Sequence, residues 1–114
     1  MIFLLTGDTL FVGAVGRPDL PRNAHESAAQ LYDSLKEKTL KLPEPLEIYP
    51  THVSSGSVCG AGMSGKPVST LAFEKRWNPT LNLERSNFVD KMTSRLPPKP
   101  PAMDAILRAN QGRA

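Results

Sequence analysis

The sequence predicts an α/β fold, on three observations. A short continuous apolar run, Ile2 to Leu5, closes at Gly7 as a buried strand would. From Asn23 the apolar residues change to helical spacing, and around Ile48 they alternate again, so strand, helix and strand succeed one another. At 114 residues, with 39% hydrophobic and 22% charged side chains, the chain amounts to at most one modest domain. Its eleven prolines and few aromatics predict a loop-rich molecule with a thin core.

Each element has a local reason. A second strand is expected over Thr9 to Val15, ended by Gly13 and Gly16, with residues 16–22 as a surface loop around Pro18 and Pro21. Asn23 can cap a helix whose Ala28, Leu31, Tyr32 and Leu35 share one face. Lys36, Lys38 and Lys41 suit its C-terminal end, and Pro43 and Pro45 stop it. Leu46, Ile48 and Tyr49 form a short strand ending at Pro50. Residues 51–65 contain four glycines and no periodicity, which predicts a long loop, either a site or a mobile linker. Ser69 or Thr70 caps a helix through Trp77, halted by Asn78-Pro79. A further helix runs from about Leu83 to Arg95 with Phe88, Val89 and Met92 inward. Leu96 to Pro101 is a rigid proline-rich break, and a last helix spans Met103 to Asn110.

Composition excludes several classes. The net charge of +3 comes from basic residues scattered along predicted helices, not from a dense patch with interleaved aromatics, so no nucleic-acid partner is expected. The apolar start is far shorter than the ~20 residues of a membrane span and lacks a basic signal-peptide region, so no membrane partner is expected either. A single cysteine, Cys59, allows no intrachain disulfide and fits a reducing, cytoplasmic setting.

Asp8 and His52 are the candidate site residues. Each follows a predicted strand and opens a loop, so both can face one cleft at a sheet edge. One carboxylate and one imidazole suit Zn²⁺ or non-haem Fe²⁺, although a metal site needs at least three protein ligands. The competing reading makes Asp8 a turn residue bonded to local backbone and His52 a hydrogen-bonded loop residue. His25, in the first turn of a helix, reads as an exposed imidazole.

Leu4-Leu5-Thr6-Gly7-Asp8-Thr9-Leu10-Phe11, the turn Gly16-Arg17-Pro18-Asp19-Leu20 and Tyr49-Pro50-Thr51-His52 resemble the C-terminal half of the metallo-β-lactamase superfamily. Ser57-Val58-Cys59-Gly60, the segment from Ser69 to Pro79 and the proline cluster are similar to its persulfide dioxygenase branch, which includes members fused to rhodanese domains. The resemblance implies the C-terminal half of an αββα sandwich, with few strands and three to four helices. Residues 1–96 would form the partial domain, and 97–114 a proline-rich linker with a terminal helix.

The resemblance also implies a site. Asp8 matches the family's carboxylate ligand, and His52 matches the histidine that completes a second metal site in glyoxalase II-like relatives and lies beside the iron in mononuclear dioxygenases. The cofactor implied is Fe(II), with Zn as the alternative, and the substrate glutathione persulfide, oxidised by O₂ to sulfite and glutathione. Arg17 either meets the anionic part of that substrate or pairs with Asp19 or a loop carbonyl.

One departure governs the functional expectation. The His-x-His-x-Asp-His motif and a further histidine that family members carry before Thr-Gly-Asp are absent from this sequence. The expectation is a truncated half domain, inactive alone and without catalytic residues of its own, whose standing as an enzyme is open. Two alternatives stand beside it. One is half of a split iron-dependent persulfide dioxygenase or thiolester hydrolase, completed by an N-terminal-half partner; the other is a small non-catalytic interaction module. Unpartnered inner faces predict self-association. A Cys59 nucleophile is a weaker idea, because no histidine adjoins it in sequence.

Overall fold

The computed structural model describes residues 3–18, 23–53, 63–94 and 101–112. Strand β1 (Phe3–Gly7) leads through helix α1 (Ala24–Glu37) and a 3₁₀ turn (Thr39–Lys41) to β2 (Glu47–Pro50). The short β3 (Ser69–Thr70), α2 (Leu71–Trp77), α3 (Arg85–Ser94) and α4 (Met103–Asn110) follow. The sheet order is β1-β2-β3, with β1 and β2 parallel and β3 antiparallel to β2. Parallel neighbours need a crossover, and α1 supplies it.

The cap expected of Asn23 is present: its side-chain oxygen accepts the amides of His25 and Glu26. Ala28 and Leu35 are buried on the inward face of α1, and Leu31 and Tyr32 pack beside them. The helix ends at Glu37, before the prolines, by tightening into the 3₁₀ turn. Thr70 caps α2 by accepting the Phe73 amide, and Asn78-Pro79 ends it as expected. Phe88 carries the inward face of α3 and meets Tyr32 of α1 edge-on at 5.2 Å. Full burial of one such ring is worth about 1.5–3 kcal/mol.

Three expectations are corrected. Thr9 to Val15 is not a strand: Gly13, at φ +87°, reverses the chain, and the Phe11 amide bonds the Ala14 carbonyl at 2.9 Å. A single antiparallel bridge, Leu10 to Val15, is all the pairing this turn has. Its apolar residues divide between two clusters, Leu10, Val12 and Val15 in the main core and Phe11 and Ala14 with Met63 in a second. Residues 16–18 are not simply surface, because Gly16 and Pro18 are buried, and the rest of that expected loop lies outside the described residues. Residues 69 and 70 form β3, with Thr70 also capping α2, since two residues carry no periodicity to announce a strand. Much of the long loop, including Cys59, and most of the proline cluster lie outside the described residues.

The two faces of the sheet differ. Leu4 is paired with the buried Ile48 on the face covered by helices, whereas Phe3, Leu5 and Tyr49 point away from it. Leu5 is 73% exposed, and the Phe3 and Tyr49 rings meet edge-on at 5.9 Å. β1 is also an edge strand.

Candidate metal centre

The ends of β1 and β2 create the site. The strands run parallel, so their C-terminal ends lie together, and the Thr51 amide bonds the Gly7 carbonyl at 3.0 Å. Gly7, at φ +53°, then turns the chain out of the sheet. One residue past each of these points stand Asp8 and His52, with His52 Nδ1 and Asp8 Oδ1 3.0 Å apart. The side chains are 35% exposed for His52 and 53% for Asp8, so the pair is open to solvent.

The turn after β1 is drawn against this pair. Thr6 donates to the Leu10 carbonyl at 2.6 Å, the Thr9 amide bonds Thr6 O at 3.0 Å, and the Gly16 amide returns to Thr9 O at 3.1 Å. A Cβ at Gly16 would stand 1.8 Å from the Asp8 carbonyl oxygen, so the close approach requires glycine. Arg17 is thereby placed beside Asp8. The two line a cleft of about 420 Å³ with the α1 residues Ser27, Gln30 and Ser34. On the other side, the buried Phe11 ring meets the His52 ring edge-on at 6.2 Å.

The sequence-derived pair is thus brought together, and Arg17 lies in the adjoining cleft. His25 is exposed at the start of α1 and lines a different cleft, with Glu84, Arg85 and Asp90. Among the described residues no group of three His, Cys, Asp or Glu side chains is arranged to hold a metal ion. A carboxylate and an imidazole with solvent access fit a metal as one side of a centre. They do not enclose one.

Sequence reasoning missed the support behind the pair. Glu74 and Asn78, fully buried on and just after α2, hold the Gly13–Ala14 turn from behind. The available signal was Glu-x-x-x-Asn before a proline, which also reads as a solvated helix face. Gly16 was visible only as punctuation, although its role is contact.

No family model matches the chain. The chain is 35% identical over 105 residues to the bovine and human proteins named persulfide dioxygenase ETHE1, mitochondrial, covering 92% of this chain and 37% of each relative. It is 36% identical over 77 residues to hydroxyacylglutathione hydrolase GloC of Haemophilus influenzae, covering 68% of this chain and 29% of that one. Among solved structures it superposes on a metallo-β-lactamase from Staphylococcus aureus with a TM-score of 0.76 and 34% identity, over 96% of this chain and 30% of the other. ETHE1 from Myxococcus xanthus gives 0.70 and 35%, over 94% and 43%.

The fold is that of part of a metallo-β-lactamase domain. Within that superfamily the chain is similar to the persulfide dioxygenases, matching a portion consistent with the C-terminal half of their fold. It spans 37% of the length of these persulfide dioxygenases and 29% of that of the hydrolase.

Proposed function

We propose that this segment supplies the carboxylate side of the metal centre in a persulfide dioxygenase-type domain, with Asp8 as the ligand and His52 as its neighbour. The observation that carries this reading is the 3.0 Å contact between Asp8 Oδ1 and His52 Nδ1 at the ends of adjacent parallel strands. The remaining ligands come from residues outside this sequence, in the same polypeptide or in a partner, and the chain is inactive without them. Phe3, Leu5 and Tyr49 form the face on which that remainder of the sandwich lies. The ion is iron(II) for a dioxygenase, and when bound it supplies the redox chemistry at the substrate sulfur. The single cysteine is in keeping with a reducing compartment such as the cytoplasm.

The chain's own residues hold and orient. As the imidazole tautomer with hydrogen on Nδ1, His52 donates to Asp8 Oδ1, fixes the carboxylate plane and leaves Oδ2 for a ligand bond. Arg17, at the mouth of the adjoining cleft, meets the anionic arm of glutathione persulfide, for which a guanidinium is the suitable partner. Replacing His52 with alanine in a completed, metal-loaded domain should weaken metal affinity about 10–100-fold, as loss of an outer partner of a ligand does. Unchanged affinity would remove His52 from the site.

A second reading is a zinc thiolester hydrolase, favoured by the match to a hydroxyacylglutathione hydrolase and by an imidazole close enough to serve a second metal. Two assays separate the readings: persulfide-dependent oxygen uptake and thiolester cleavage, each on the chain alone and on the chain co-expressed with a segment bearing His-x-His-x-Asp-His. The dioxygenase reading expects oxygen uptake only from the co-expressed form. Stoichiometric iron and oxygen uptake by the chain alone would contradict the incomplete-site account.

A further inference from the structure

Glu74 is a fully buried carboxylate, and among the described residues no ion pair reaches it. An ionised group in that position depends on hydrogen bonds for compensation, and three donors converge on it. Oε1 accepts the Gly13 amide at 2.8 Å and Asn78 Nδ2 at 3.0 Å, while Oε2 accepts the Ser69 hydroxyl at 2.6 Å. Asn78 Nδ2 also donates to the Ala14 carbonyl at 3.2 Å, so two adjacent peptides of one turn are held from α2, more than sixty positions away in sequence. That turn carries Phe11 at its near end and Gly16 just beyond it. Phe11 abuts His52, and Gly16 abuts the Asp8 backbone.

We propose that Glu74 is the positioning residue of the Asp8–His52 pair, acting through the Gly13–Ala14 turn to seat Phe11 against His52 and Gly16 against Asp8. The inference rests on the reading of Asp8 and His52 as a site. A buried carboxylate carries a desolvation cost that an apolar side chain of like volume would avoid. What it provides here is an acceptor for the outward amide of Gly13, which the turn's own backbone leaves unpaired.

The test uses NMR on the full chain and reads geometry, not metal, so it stands or falls separately from the metal assays. Glu74→Met keeps the volume and removes the acceptors. Glu74→Gln keeps one carbonyl oxygen for Gly13 and Asn78 and lets the Ser69 hydroxyl turn to accept. Leu71→Ala, on the same helix and equally buried, is the control for general destabilisation. In Glu74→Met, amide exchange at Gly13 and Gly16 and proton exchange at His52 Nδ1 should each quicken at least about tenfold. Glu74→Gln should restore them, and Leu71→Ala should leave them within about twofold of the parent. Equal quickening in Leu71→Ala, or none in Glu74→Met, overturns the proposal. Phe11→Leu, which spares every bond of Glu74, should quicken exchange at His52 alone; an unchanged His52 overturns the link through the ring even if Glu74→Met fails to fold.

Discussion

Gly16 shows how closely the site depends on single residues. Its missing side chain lets the Arg17 loop lie on the Asp8 carbonyl, 1.8 Å from where a Cβ would stand. Gly16→Ala must push the two backbones apart, and we expect a loss of about 1–3 kcal/mol in denaturant unfolding, the usual range for overpacking. A variant as stable as the parent would show that the approach is slack. Asp8 and His52 were legible in the sequence because each follows a strand signal directly, and the strand end dictates where the next side chain stands. Their support was not legible. A glutamate in a helix ordinarily faces water, and only the burial of α2 turns Glu74 inward.

Between elements, α1 and α3 are joined by more than their apolar faces. Arg85 Nε and Nη2 reach both carboxylate oxygens of Asp33 at 3.0 Å, a two-pronged pair beside the Tyr32–Phe88 contact. The hydrogen bonds from Arg85 hold the Asp33 carboxyl below the usual carboxylate range. A lowered carboxyl contributes stability above the pKa it has in the unfolded chain and loses it as pH falls below about 4. Asp33→Asn should therefore lower the denaturation midpoint at neutral pH and match the parent in acid; a difference that persists in acid would contradict the linkage. The helices were readable from caps and apolar spacing. The Leu10–Val15 turn was misread as a strand because Leu-Phe-Val-Gly-Ala-Val has strand composition, and only the left-handed Gly13 reverses it.

At the scale of the molecule, the sheet has one face covered by helices and, among the described residues, one bare face. Phe3, Leu5 and Tyr49 are exposed together beside the free edge of β1, a combination that natural sheets usually cover or protect with charge. The isolated chain should therefore self-associate, and Leu5→Glu should shift it toward monomer in light scattering. A parent that is monomeric at high concentration would contradict this. The α/β class was legible because the periodicities are strong. The bare face was legible only through the resemblance, which implied unpartnered inner faces; an apolar strand residue by itself looks the same in sequence whether its cover is near or absent.

If Asp8 and His52 form one side of a metal centre, a zinc titration of the isotopically labelled chain will reveal it. Two ligands without a third should bind weakly but in one place. Shifts should be confined to Asp8, His52 and their neighbours and should be removed by Asp8→Asn. Shifts centred elsewhere, or the same shifts in Asp8→Asn, would contradict the metal-centre reading.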